Sequence, residues 1–208
     1  MKFNQFVYNE ETRVHTLGKQ IIPSVTQIIS PLVDYSRVPP DALEKKRQLG
    51  LAFHKAIALY IRDNLNWDSL DERLIKPMEG FSMFCNTRIK GNYLWRQTGR
   101  QLAVEVPLCH PKLKYCGKPD LVTSKIIYEW KLRPYNLVAD PLQMSGYQLL
   151  CGSEIEHLTV VCFDLDGDYK VHDAFNIQAR AMFRKLLDRY KSEQKFNLLI
   201  KQWKECVK

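Results

Sequence analysis

The chain has no Cys-x-x-Cys pair, and its six cysteines (Cys85, Cys109, Cys116, Cys151, Cys162 and Cys206) are scattered along 208 residues. That spacing excludes a zinc ribbon and an iron–sulfur cluster, and although Cys109, His110 and Cys116 lie close together, a fourth ligand at a convincing spacing is missing. The opening residues, Met-Lys-Phe-Asn-Gln-Phe, lack the apolar stretch of a secretory leader, so free thiols in a reducing cytoplasm are expected. No apolar run is long enough to span a bilayer, and no membrane partner is expected. A glycine-rich phosphate loop, an internal repeat and low-complexity stretches are also absent, which removes nucleotide-loop enzymes and solenoids from consideration.

What is present is an ordinary globular composition, 45% hydrophobic and 26% charged. This length supports one well-buried core, so residues 1–208 are expected to form a single domain. The formal net charge of +8 suits a polyanionic partner through counterion release. Much of the excess lies near the end of the chain, where Arg184, Lys185, Arg189, Lys191, Lys195, Lys201, Lys204 and Lys208 stand among few acids.

Periodicity divides the chain. Residues 6–22 read as a hairpin turned at Asn9-Glu10-Glu11, followed by Ser24 as a helix N-cap. A helical pattern runs from Asp41 to about Asn64, with Leu49, Phe53, Ile57, Tyr60 and Ile61 in phase. A second helix is expected from Ser69, capped by the Ser69/Glu72 pair, kinked or divided at Pro77 and Gly80 and ending near Gly91. From Arg100 the period becomes alternating, and Leu102–Val106, Lys118–Thr123 and Ile126–Leu132 read as three strands of one sheet. Asp140-Pro141 is read as the cap of a helix through Gln143, Tyr147 and Leu150. Leu158–Phe163 and Tyr169–His172 form a closing hairpin, and an amphipathic helix follows from Asn176. The fold class is therefore α/β: a mixed central β-sheet flanked by helices.

The chemistry concentrates between Cys116 and Leu132. Asp120 precedes a strand on which Glu129 and Lys131 share one face, while Tyr128, Trp130 and Leu132 share the other. Hard divalent cations such as Mg2+ or Mn2+ take one or two carboxylates together with water and substrate phosphate, which Asp120 and Glu129 can provide.

Gly117-Lys118-Pro119-Asp120 followed by Glu129-Trp130-Lys131 resembles the signature of the PD-(D/E)xK nuclease superfamily. Gly50 with His54 resembles the Gly-x-x-x-His element of its RecB-like branch, Glu105 the acid on the preceding strand, and Gln143 with Tyr147 the Gln-x-x-x-Tyr helix. Pro23-Ser24-Val25-Thr26 resembles an element of mitochondrial genome maintenance and phage exonucleases. Glu129 stands where the branch more often has Asp, and the cluster cysteines of its iron–sulfur members are missing.

The resemblance implies a restriction-endonuclease-like core and a metal-dependent deoxyribonuclease, foremost an exonuclease on single-stranded DNA or DNA ends in recombination, repair or replication. A structure-selective endonuclease and a non-catalytic DNA-binding module are the alternatives. It implies one or two Mg2+ or Mn2+ ions held by His54, Glu105, Asp120, Glu129 and the Trp130 carbonyl. Lys131 then orients or deprotonates water or stabilises negative charge, with Gln143 and Tyr147 fixing the geometry. Ser24 and Thr26 are candidate phosphate contacts, as are Arg133, Lys112, Lys114 and Lys118, which flank the motif. DNA is the expected partner, alongside recombination or replication proteins.

Overall fold

The computed structural model describes residues 6–9, 12, 14–89 and 103–206, with side chains through residue 200. Strands β1 (Phe6–Asn9), β2 (Val14–Leu17) and β3 (Gln20–Ile21) form a small antiparallel sheet. Helices α1 (Val25–Ile29), α2 (Pro40–Ile61) and α3 (Glu72–Phe84) follow, the last running on into a wide π-helical turn, Cys85–Ile89. Then come β4 (Ala103–Val104), the hairpin β5 (Leu108–His110) and β6 (Tyr115–Gly117), β7 (Leu121–Val122) and β8 (Ile126–Lys131). Helix α4 (Ala139–Cys151), β9 (His157–Phe163), β10 (Tyr169–Asp173) and α5 (Ile177–Cys206) complete the described chain.

The central sheet has the order β10-β9-β8-β7-β4. Only β8 and β9 run parallel, which requires the crossover that α4 provides. Helices cover both faces. On one face α2 and α3 pack against Tyr128, Trp130, Val161 and Phe163, where Phe81 and Phe84 meet the Trp130 ring edge-on at 5.2 and 5.8 Å. On the other, α1, α4 and α5 enclose Ile127, Leu158, Val160 and Cys162. The mixed sheet between two helical layers is the architecture read from the sequence, and the three alternating segments pair as one sheet.

Several local readings are corrected. Ser69 closes a 3-10 turn, Trp67–Ser69, that Asn66 caps, and Asp71 caps α3 by accepting from the Arg73 amide. The Asp side chain nearest the first free amides takes the role expected of Ser69. Pro77 does not divide α3, because the buried ring is held within the packed α2–α3 layer. Asp140 is not the cap of α4. Asn136 Oδ1 accepts from the Val138 and Ala139 amides at 2.9 Å each, leaving Asp140 within the first turn. The alternation around Glu105 breaks, since it lies beyond β4 with φ 52. The expected helix end near Gly91, the start of the first alternating segment at Leu102 and the Glu10-Glu11 turn lie outside the described residues.

Two close approaches lock the layers. A Cβ on Gly80 of α3 would stand 2.0 Å from the Gly167 carbonyl oxygen in the β9–β10 turn, where Gly167 itself has φ 91. A Cβ on Gly146 of α4 would meet the Phe183 ring of α5 at 2.7 Å.

Candidate active site

Strand alternation puts Glu129 and Lys131 on the α4 side of the sheet, and the helix returns Gln143 and Tyr147, one turn apart, to the same place. The four side chains form a closed network. Lys131 Nζ donates to Glu129 Oε1 and Gln143 Oε1, both at 2.9 Å. Gln143 Nε2 donates to Glu129 Oε1 at 2.7 Å and to the Tyr147 hydroxyl at 3.0 Å. Glu129 is buried, and its second oxygen, Oε2, has no partner among the described residues. A buried carboxylate oxygen left without a donor is costly, which marks a place for a cation or water.

Gly117 makes this arrangement possible. A Cβ there would stand 2.7 Å from Tyr147 Cε1, so the strand entering the motif can touch the tyrosine ring only as glycine.

Asp120 joins α2 to the central sheet. Its Oδ2 accepts from the Trp130 amide at 2.8 Å, and its Oδ1 lies 2.9 Å from His54 Nδ1, across 66 residues of sequence. Glu105 completes the cluster, with its amide donating to the Asp120 carbonyl at 3.0 Å. One ligand atom from each of His54, Glu105 and Asp120 lies within 4.8 Å of the others. The left-handed backbone of Glu105 is uncommon outside glycine and costs about 1–2 kcal/mol, a strain of the kind that gathers at functional sites. At Gly50, one turn before His54, an added Cβ would meet nothing within 4 Å, so open space remains beside the imidazole.

Charge shapes the proton inventory. Burial, reinforced by the Asp120 carboxylate, pushes Glu129 up to about 7 despite the Lys131 ammonium. Burial also opposes ionisation of Asp120, but His54, Lys131 and the Trp130 amide more than offset it and hold the carboxyl below its usual range. His54 is disfavoured as a cation by burial, yet Asp120 raises it above its ordinary value. Lys131 likewise loses hydration, and Glu129, Asp120 and the more distant Asp140 hold its proton more tightly than usual.

The residues present fit a hard divalent cation: two carboxylates and an imidazole converge, and Glu129 keeps a free oxygen aimed away from its amide and ammonium donors. Glu129 is not part of the three-residue cluster itself and adjoins it through Asp120.

Other sequence candidates are placed differently. Ser24 caps α1 in a capping box with Gln27, and its Oγ lies 3.0 Å from Thr26 Oγ1. It touches the site only indirectly, by a bridge to Cys116 at the head of the motif. Arg133 is committed to the fully buried Asp140, with Nη1 at 3.0 Å from Oδ2 and Nη2 bonded to Oδ1. Lys118, a candidate phosphate contact in the sequence, pairs its ammonium with Glu105 and lies 5.8 Å from the centroid of the Tyr8 ring. Its place directly before Pro119-Asp120 was the available signal.

No protein-family model matches the chain, and no curated protein matches it. Among solved structures it is similar to an alkaline exonuclease, LHK-Exo, from Laribacter hongkongensis, with 11% identity and a TM-score of 0.46 over 88% of this chain and 92% of that one. The structure of LHK-Exo in complex with dAMP aligns with 12% identity and a TM-score of 0.45, over 89% of this chain and 93% of that one.

Proposed function

We propose that the chain is a divalent-metal-dependent deoxyribonuclease of the PD-(D/E)xK type, an exonuclease acting on single-stranded DNA or DNA ends. The observation that carries this reading is Glu129: a buried carboxylate with one oxygen gripped by Lys131 and Gln143 and the other without a partner, beside the His54–Glu105–Asp120 cluster. A structural ion pair would satisfy both oxygens.

In this reading Asp120, Glu129, His54 and Glu105 hold one or two Mg2+ or Mn2+ ions, with the Trp130 carbonyl at the same edge. When bound, such an ion supplies an activated water and neutralises charge on the phosphodiester. Lys131, whose proton Glu129 and Asp120 hold more tightly than usual in the metal-free site, would orient the nucleophilic water or stabilise negative charge at the phosphorus. Gln143 fixes Lys131 against Glu129, and Tyr147 fixes Gln143. The packing of Gly117 on Tyr147 ties that geometry to the strand that delivers Asp120. Ser24 and Thr26 offer hydroxyls to a substrate phosphate beside the motif.

The test is cleavage of oligonucleotides labelled at the 5′ or the 3′ end, single-stranded and duplex, with Mg2+, Mn2+ or EDTA. Metal-dependent products that fall by at least about a hundredfold in Lys131→Ala are expected, in line with the loss of one preorganised charge-stabilising group. A ladder growing from one labelled end identifies an exonuclease, whereas a single internal product identifies an endonuclease. Intact DNA under every metal condition would defeat the enzyme reading.

A further inference from the structure

The β5–β6 hairpin meets α5 through Tyr115, whose ring centroid lies 5.9 Å from that of His110 and 5.4 Å from that of Phe183. Cations from both elements surround this contact. Lys112 stands in the hairpin turn, and Arg180, Arg184, Lys191 and Lys195 lie along α5. At about 100° per residue these four helix positions fall within roughly 60° of one another, next to the face that buries Phe183 and Leu187. Lys112, Arg180, Arg184 and Lys195 are exposed, and Lys191 is partly so.

Among the described residues no carboxylate pairs with any of the five. The nearest acid on the helix surface is Asp188, while Glu193 is bonded to Arg189 on the opposite side at 2.7 Å. The convergence is felt locally: the His110 imidazole is lowered first by burial and then by Lys112, Lys191 and Arg184 together. Five cations gathered from two elements against the single neighbouring carboxylate of Asp188, one turn from Arg184 and Lys191, repel one another and favour a polyanion.

The dimensions fit a nucleic-acid strand. Arg180 to Lys195 spans about 22 Å at the helical rise, comparable with about six phosphates of one strand at 3.4 Å each. From Tyr115 the chain runs through Gly117 to Asp120, at most about 17 Å away, so the track lies within a few nucleotides of the carboxylate cluster.

We propose that this track, Lys112 with one face of α5, holds the phosphate backbone of the strand outside the cleavage site. The choice of nucleic acid as the polyanion rests on the nuclease reading. The experiment is binding of a single-stranded 20-nucleotide probe by fluorescence anisotropy in EDTA across a KCl series. It compares the native chain with a variant carrying Lys112→Gln, Arg180→Gln, Arg184→Gln, Lys191→Gln and Lys195→Gln. A control variant carries Lys170→Gln and Lys185→Gln, the second about 110° around the same helix from the middle of the track.

The slope of log affinity against log salt should shrink by about three in the track variant, since each phosphate contact on a single strand contributes about 0.7. Kd should rise at least tenfold, and the control should change neither. An unchanged slope in the track variant, or an equal loss in the control, overturns the proposal. If the five substitutions together prevent folding, the single ones carry the test through slope losses of about 0.7 each. Because no turnover is measured, the two readings separate. Track-dependent binding without cleavage in metal would defeat the nuclease and leave the track, and cleavage with an unchanged slope would do the reverse.

Discussion

Glu129 is the residue at which stability and the proposed activity pull apart. Its carboxyl is raised to about 7, from an ordinary 4.5, so the metal-free folded state binds more protons than the unfolded state between those values. Stability contributed by this group is therefore full in acid and declines as pH rises from about 4.5 to about 7. His54 acts in the same sense: its pairing with Asp120 stabilises while the imidazole is protonated and is lost as pH climbs through its raised value. Asp120 acts in the opposite sense: held low, it contributes stability that is present above the ordinary carboxylate range and lost as pH falls through its lowered value. Glu129→Gln should therefore raise metal-free stability over the native chain by more at pH 8 than at pH 5, while abolishing cleavage. Urea midpoints in EDTA at the two pH values measure this, and a variant that is weaker at both would show that the carboxylate stabilises the fold.

At the scale of elements, the site depends on how closely β6 approaches α4. Gly117→Ala places a methyl group at 2.7 Å from Tyr147 Cε1 and 2.9 Å from Leu150 Cδ1, so the helix must retreat or the ring must turn. The expected result is a loss of about 1–3 kcal/mol in stability, typical of overpacking, together with a fall in kcat larger than any change in KM. Steady-state kinetics beside thermal melting separates the two effects.

This scale also shows what could be read from the sequence. The strand carrying Glu129 and Lys131 was legible because alternation is strict there, and Gln143 with Tyr147 because four residues make one helical turn. The β5–β6 hairpin was not, since two three-residue strands around Pro111 leave too few positions for a period to emerge. Helix starts failed where several capping side chains compete within a few residues. Asp71 outbid Ser69, and Asn136 outbid Asp140 because Asp140 is spent on Arg133. The His54–Asp120 contact was legible only through the family resemblance, because nothing local encodes a meeting across 66 residues.

For the whole molecule, a cation bound in the proposed site would tie α2 to the central sheet and should appear as added stability. At a concentration about a hundred times its Kd, a ligand specific for the folded state adds about 2.7 kcal/mol, or roughly 5–10 °C in a chain of this size. Thermal melts with Mn2+ or Mg2+ should rise by that amount relative to EDTA, and the rise should vanish in Asp120→Asn. Equal shifts in both proteins would place the ion elsewhere. No helix among the described residues is long and apolar enough to cross a membrane.

The division of Asp120 between a helix partner far behind it and a strand amide just ahead has a consequence in time. On the ribosome His54 emerges first, Asp120 and Glu129 follow, and Gln143 and Tyr147 come after them. Contacts this distant in sequence form late, after the loops between them have closed. A nascent or truncated chain therefore holds the acids without the network that orients them. Whatever chemistry the cluster performs therefore waits for the helix that carries Gln143 and Tyr147.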